Sequence, residues 1–253
     1  MIITLLTDFG EFYPGVMKGV ILKVNPKAVI VDITHSVEPQ NVLQGAFLLY
    51  HSYRFFPNAI HIAVVDPGVG GKREALAFEC RNYIFIAPNN GIAYPSASED
   101  GVERVWIIDE EKTSEVTGVL SNTFHGRDIF APAGAYASIG MLSKVAEPYD
   151  GDVVKLELFD YIVDENLVIC KVVFVDRFGN VVTNLRSKDV FGRYVKFEDV
   201  KIPIVRCYED VEKYEPLALI GSFGTLELSI REGSFAKVFG IKSNDEIELE
   251  QIP

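Results

Sequence analysis

Val64-Val65-Asp66-Pro67-Gly68-Val69-Gly70-Gly71-Lys72-Arg73 is the stretch that decides how this chain is read. An apolar run, Ile60 to Val65, is cut off by an aspartate, a proline and three glycines, the pattern of a buried strand that ends in a tight loop at a sheet edge. A carboxylate at that point is held by the strand and exposed by the turn. Pro67 fixes one backbone torsion, the glycines let the chain fold closely over a ligand, and Arg73 can return a cation towards Asp66. Standing alone, such a stretch is more often a solvated turn with a surface ion pair.

Working outward, the same pattern recurs. Ile2 to Leu6 is short, apolar and β-branched, and it ends in Thr7-Asp8-Phe9-Gly10 ahead of a helix-like stretch, Gly15 to Val24. Strand, acidic turn and helix open an α/β unit. Ala28 to Ile33 reads as a second buried strand and Gln40 to Phe55 as a helix with Pro57 beyond its end. Downstream, Ala75 to Cys80 and Tyr83 to Ala87 read as a hairpin, Val105 to Ile108 as a strand, and Ile129 to Ile139 as an Ala-rich helix with Pro132 in its first turn. Repeated units of this kind predict an α/β domain over residues 1–150 with a mostly parallel sheet and a cleft at the carboxyl edge of its strands. From about Ala146 the texture changes to short β-rich runs, among them Leu167 to Val175, Leu226 to Ile230 and Glu246 to Leu249. Residues 151–253 therefore read as a smaller, all-β domain that leans on the first domain or on another subunit.

Composition sets limits on function. The 253 residues are 48% hydrophobic, ample for a packed soluble protein, and no apolar run approaches bilayer length. A net charge of −12 argues against a nucleic-acid binder, which needs a basic stripe, and tolerates a cationic or zwitterionic small molecule. The cysteines, Cys80, Cys170 and Cys207, are isolated and odd in number; they read as small buried hydrophobes in a reducing, cytoplasmic setting. Met1 to Thr7 lacks a basic leader and reads as a first strand rather than a signal peptide.

Individual motifs remain open when weighed singly. Gly68 to Arg73 fails as a phosphate loop, because that pattern needs glycine where Asp66 stands and Ser or Thr where Arg73 stands. No GxGxxG or GxSxG occurs. Asp8, Asp66 and His125 are residue types that hold metals, but they lack helical pairing, and His35, His51 and His61 are scattered. His125, before a glycine and just ahead of a helix, reads as positioned, although such a histidine is structural about as often as functional. Asp176-Arg177-Phe178-Gly179-Asn180 suits a hairpin turn, and Gly221-Ser222-Phe223-Gly224-Thr225-Leu226-Glu227 offers a hydroxyl and backbone amides in a second turn.

Taken together the motifs say more. Thr7-Asp8-Phe9-Gly10, Pro39-Gln40-Asn41-Val42, Asp66-Pro67-Gly68-Val69-Gly70 with Arg73, Ala87-Pro88-Asn89-Asn90-Gly91, Phe124-His125-Gly126-Arg127-Asp128, Asp176-Arg177-Phe178-Gly179-Asn180 and Ser222-Phe223-Gly224 come in an order that resembles the S-adenosylmethionine hydroxide adenosyltransferase family, relatives of the fluorinating and chlorinating enzymes. The resemblance implies a β-barrel-like second domain, a homotrimer with the substrate at a subunit interface, and attack of water or hydroxide on C5′ of S-adenosylmethionine to give adenosine and L-methionine. By position, Asp66, Arg73 and His125 match the family's water-handling triad and Asp8 matches its ribose-diol carboxylate. Asp176 and Ser222 match methionine contacts, and Phe178 and Asn180 match adenine contacts. Gln40, Asn90 and Glu227 are carried as further substrate contacts; neither a metal nor an organic cofactor is implied. The halogenating relatives lack the aspartate at the position of Asp66, carry tryptophan at Gln40 and have arginine at Phe223, so the chain resembles the hydrolytic branch. A non-catalytic binding protein for S-adenosylmethionine or adenosine, a halide transferase and a metal-dependent hydrolase are the alternatives.

Overall fold

The computed structural model describes residues 1–253. Two compact units divide the chain, Met1–Leu156 and Glu157–Pro253. No helix is long and apolar enough to cross a membrane.

In the first unit, strands β1 (Ile2–Thr7), β2 (Val29–Thr34), β3 (Ile60–Val64), β4 (Ala75–Cys80), β5 (Ile84–Pro88), β6 (Val102–Ile108) and β7 (Ala146–Pro148) form one sheet in the order β2-β1-β3-β5-β4-β6-β7. The β2-β1-β3-β5 half is parallel, whereas β5-β4-β6-β7 is antiparallel, so the sheet is mixed. The antiparallel half follows from the short Arg81-Asn82-Tyr83 turn between β4 and β5, which is too brief for a crossover helix. Helices α1 (Phe12–Val24), α2 (Val42–Ser52), α3 (Tyr94–Asp100), α4 (Glu110–Ser114) and α5 (Ala131–Ser138) complete the unit, α5 being entered through a π-helical turn, Gly126–Phe130.

The core joins Ile3 and Leu5 of β1, Ile60, Ile62 and Val64 of β3, Met17 and Ile21 of α1, and the alanines of α5. The small residues of α5 bring it down onto the sheet: a Cβ on Gly134 would stand 2.4 Å from Cδ1 of Ile62. Asn41 caps α2, its side chain accepting from the Gln44 amide at 3.0 Å, so that helix starts at Val42 rather than at Gln40. One expectation is corrected here. β2 is an edge strand, with Val29 56% exposed, although Ala28 to Ile33 reads as buried; an apolar β-branched run looks alike at the edge and in the middle of a sheet.

His61 lies fully inside this unit, 2.7 Å from the Thr4 hydroxyl through Nδ1 and stacked on Phe85 at 5.1 Å, while its Nε2 has no partner. Burial pushes its pKa down to about 4, with Asp100 opposing weakly. The neutral ring is therefore favoured in the fold, and the unfolded chain takes up a proton first as pH falls. Stability should drop by about 3 kcal/mol between pH 6.5 and 4 on this account. Urea titrations of the native protein and of His61→Phe across that range check this: the substitution should remove most of that part of the slope.

The second unit is antiparallel. Strands β8 (Ile162–Asp164), β9 (Leu167–Val175), β10 (Val181–Arg186), β11 (Tyr194–Phe197), β12 (Val200–Pro203), β13 (Pro216–Ile220), β14 (Thr225–Ile230) and β15 (Glu246–Ile252) run in the order β12-β11-β15-β9-β10-β14-β13, with β8 paired to β9. A bridge between Ile204 and Ala218 brings the two end strands together, so the sheet nearly closes into a barrel. Alternate residues of β9 and β15 point into a core that includes Val168, Cys170, Leu249 and Ile247, with Phe235 of the short helix α6 (Phe235–Phe239) fully buried among them. Cys80 and Cys170 are buried, and burial pushes each thiol up to about 12, but Cys207 is exposed in a loop and departs from the expectation that all three are core residues.

Candidate active site

Parallel pairing puts the first two acidic turns side by side. Thr7 of β1 is in register with Val64 of β3, so Asp8 and Asp66 leave neighbouring strands at the same carboxyl edge. The Asp8 Oδ2 accepts the Gln40 amide at 2.8 Å, and Gln40 adopts the left-handed conformation, with φ of 67°, in presenting it. Gln40 thus reaches Asp8 through its backbone, with its side chain exposed. Burial pushes the Asp8 carboxyl above its ordinary value against the Gln40 amide, and the Asp66 charge adds to the rise.

The glycine loop closes Arg73 back onto Asp66. Gly70 has a φ of +74°, and a Cβ there would lie 2.3 Å from the Asn122 carbonyl oxygen, so glycine is required for the loop to lie against the segment leading to His125. Arg73 Nε donates to Asp66 Oδ2 at 2.9 Å, its Nη2 is 2.7 Å from the same oxygen and 2.6 Å from Nδ1 of His125, and its Nη1 points towards Glu110 Oε1 at 3.5 Å. The guanidinium is also seated 5.4 Å from the Phe130 ring. The Asp66 side chain is 3% exposed, and its Oδ1 is buried without a hydrogen-bond partner.

This geometry sets the tautomer of His125. An arginine only donates, so Nδ1 must accept, and the imidazole proton belongs on Nε2. Burial holds the His125 pKa below its ordinary value, the neighbouring Arg73 lowers it further, and Glu110, Asp66 and Asp128 oppose. The site therefore offers a neutral imidazole N–H donor, a buried carboxylate oxygen with a vacant lone pair, and a cation linking them. That cation is a guanidinium, and no group of three or more His, Cys, Asp or Glu is arranged to hold a metal ion.

Supporting residues fix each member. Asn90 donates through Nδ2 to the Val65 carbonyl at 2.8 Å and accepts from the Ile92 amide at 3.2 Å, which buttresses the chain just before Asp66. Fully buried Asp128 accepts from Arg127, from the Thr117 hydroxyl at 3.1 Å and from the Ser121 amide at 2.9 Å, and so ties the loop before His125 to the π-helical turn after it. Although its burial opposes ionisation, Arg127 and the Ser121 amide hold the Asp128 carboxyl below the usual range. Asp128 lay within a recognised motif, but nothing in the sequence assigns it this task; Glu110, at the start of α4, carries no sequence signal at all.

The second unit holds the remaining candidates. Asp176 closes the turn between β9 and β10: its Oδ1 accepts the Phe178 and Asn180 amides at 2.8 and 2.9 Å, and its Oδ2 accepts Asn180 Nδ2 at 3.0 Å. Phe178, at the tip, is 71% exposed, an uncommon state for a large apolar ring and one that suits a stacking platform. Ser222 is exposed in the turn between β13 and β14. Glu227 is buried, accepting from the Tyr208 hydroxyl at 2.6 Å and the Ser229 hydroxyl at 3.0 Å. Burial and then Glu227 itself push the Tyr208 phenol well above its ordinary range, so it stays a donor. Tyr208 carries no motif and was invisible in the sequence.

An α/β unit with a carboxylate–guanidinium–imidazole centre, followed by an antiparallel barrel-like unit, defines the class of protein. Residues 3–146 match the model of the SAM hydroxide adenosyltransferase N-terminal domain and residues 170–248 that of the C-terminal domain. The chain belongs to the SAM hydroxide adenosyltransferase family. It is 36% identical to a protein of Methanocaldococcus jannaschii and 31% identical to one of Thermus thermophilus, both named (R)-S-adenosyl-L-methionine hydrolase. The alignments cover 98% of this chain and 95% of the first relative, and 96% of this chain and 97% of the second. A fluorinase of Actinopolyspora mzabensis is 27% identical over 98% of this chain and 96% of its own. Among solved structures, an uncharacterised conserved protein of Thermotoga maritima superposes with a TM-score of 0.86 at 34% identity, covering 99% of this chain and all of that one.

Proposed function

We infer that this protein hydrolyses S-adenosyl-L-methionine to adenosine and L-methionine by attack of water at C5′ of the ribose. The observation that carries the reading is the Asp66, Arg73 and His125 centre, in which Arg73 joins the carboxylate to the imidazole and Asp66 Oδ1 is left without a hydrogen-bond partner. Relatives named as hydrolases of this compound, at 28–36% identity over nearly the full chain, support it.

The substrate's sulfonium is a leaving group already activated by its charge, so no acid is needed to expel methionine. The attacking oxygen forms the C5′–O bond, the C5′–S pair returns to sulfur and cancels its charge, and the water gives up one proton. Asp66 Oδ1 takes that proton in this mechanism, because His125 already carries a hydrogen on Nε2 and commits Nδ1 to Arg73. His125 Nε2–H fixes the oxygen's orientation, and positioning of this kind supplies up to about 7–11 kcal/mol in well-oriented reactions. A site sparing in bulk water favours the charge-cancelling transition state. The mechanism uses neither a metal nor an organic cofactor.

Asp8 is assigned to the ribose diol, with Gln40 and Asn90 shaping the edge around it. Phe178 and Asn180 are assigned to adenine, and Asp176, Ser222 and Glu227 to the methionine part. Each site is completed in a homotrimer, where residues 1–150 of one chain meet residues 151–253 of its neighbour. The reaction is placed in the cytoplasm, whose reducing milieu suits three unpaired thiols.

Incubation of pure protein with S-adenosylmethionine, followed by chromatography, tests the activity: adenosine should form with chelator present and regardless of chloride. Absence of adenosine would leave a binding protein, a chlorinated nucleoside a halide transferase, and loss with chelator a metal enzyme. Asp8→Ala should weaken adenosine binding by about 2–4 kcal/mol, because a carboxylate on a diol makes two charge-assisted hydrogen bonds. Calorimetry reads this directly, and an unchanged affinity refutes the assignment.

A further inference from the structure

Behind Asp8 lies a chain of polar groups that the hydrolytic centre does not use. Thr7, the last residue of β1, is fully buried, and its Oγ1 accepts the Phe9 amide at 3.2 Å. The same oxygen is 2.9 Å from Nδ1 of His35, so the hydroxyl hydrogen is free to point at that ring nitrogen. His35 Nε2 is buried without a hydrogen-bond partner but lies 3.1 Å from Asp32 Oδ1 on β2, close enough for an electrostatic contact, and the other oxygen of Asp32 is paired with Lys18 of α1. The backbone of His35 joins in as well, its carbonyl accepting the Gly10 amide at 3.0 Å. Against the effect of its partial burial, Lys18 and His35 hold the Asp32 carboxyl below its ordinary value.

Each end of the Asp8 turn is therefore tied to one residue. The Phe9 amide is reached through the Thr7 hydroxyl, and the Gly10 amide through the His35 carbonyl. Stability alone does not call for such a chain, since apolar residues of similar volume usually stabilise a half-buried position as well or better. What the hydrogen bonds linking His35 to Thr7 and Thr7 to the Phe9 amide add is a fixed direction. Its terminus is the turn that presents Asp8, whose carboxylate must meet two vicinal hydroxyls at once.

We propose that His35 is the positioning residue of the ribose-binding carboxylate: lying beside the Asp32–Lys18 pair, its ring orients the Thr7 hydroxyl and through it the Phe9 amide, while its carbonyl holds the Gly10 amide, so that Asp8 engages both hydroxyls of a ribonucleoside. The proposal rests on the assignment of Asp8 to the diol. Its consequence is selectivity, because a carboxylate aimed at two hydroxyls loses more when one is missing than a loosely held one does.

The test is the ratio of dissociation constants for adenosine and 2′-deoxyadenosine, measured by calorimetry on the native protein, His35→Gln, Thr7→Val, Thr7→Ser and Asp8→Asn. Partial unfolding lowers the competent fraction equally for both nucleosides and leaves the ratio alone. The native protein should prefer adenosine by about tenfold or more, as expected for one charge-assisted hydrogen bond lost. His35→Gln and Thr7→Val should bring the ratio below about threefold, and Thr7→Ser, which keeps the hydroxyl, should restore it. If Asp8→Asn lowers the ratio while His35→Gln and Thr7→Val keep it native, the positioning role is overturned and the Asp8 assignment stands. If Asp8→Asn leaves both affinities native, the assignment and the proposal fall together.

Discussion

Asp66→Asn is expected to lower kcat for S-adenosylmethionine hydrolysis by about 10²-fold or more, with adenosine binding close to native. The substitution keeps the shape of the side chain and an oxygen for Arg73, whose Nε and Nη2 both lie on Asp66 Oδ2. What it removes is the negative charge on the second, unpartnered oxygen, which the proposed mechanism uses to take the proton from water. His125→Ala should cost about as much, since the three residues act as one unit and losses within such a unit do not add. The double variant should therefore be little worse than either single one. The pH profile carries a further sign. Because burial and Arg73 hold His125 below its ordinary value, the neutral ring persists on acidification, and activity should fall only below the ordinary imidazole pKa of about 6.5. Single-turnover rates across pH check both statements; a native rate in either single variant refutes the assignment.

The second large effect is complementation between inactive chains. On the proposed assignment, Asp66→Ala should disable the first unit's share of the site, and Asn180→Ala the second unit's. In a cyclic trimer whose sites each combine one chain's first unit with its neighbour's second, every mixed trimer holds one interface in which both halves are native. Random exchange should then restore about a quarter of the native sites, starting from two preparations with almost no activity. Refolding the two variants together, with exchange verified by mass spectrometry, gives the measurement. Inactivity of the exchanged mixture would place the complete site within one chain.

Much of this architecture was legible because the sequence repeats one local device. Apolar runs ending in Asp8 and Asp66 mark strand ends, and parallel register brings the two turns to one edge. The seven-residue step from Asp66 to Arg73 is closed by glycines, and Gly70 has a measurable reason to be one. The rest depended on distance in sequence. Nothing local distinguishes edge strand β2 from the central β1, or announces that Ile129, read as the start of a helix, lies inside a π-helical turn begun at Gly126. Glu110 meets Arg73 across 37 residues of chain, and Tyr208 meets Glu227 across 19. His35, read as one of several scattered histidines, acquires meaning only when strand pairing places it beside Thr7. In the second unit, Asp176 was readable as a turn residue, and the structure gives its oxygens to amides of that same turn; its proposed contact with the methionine part is therefore the harder assignment to meet.

The central claim is that water attacks C5′ of S-adenosylmethionine, and isotope transfer tests it most directly. Turnover in water enriched in ¹⁸O, with chelator and chloride present, followed by mass spectrometry of the nucleoside, should give adenosine carrying one ¹⁸O on its 5′ oxygen and unlabelled methionine. Adenosine without the label, label in methionine, or a 5′-chlorinated nucleoside would contradict the account.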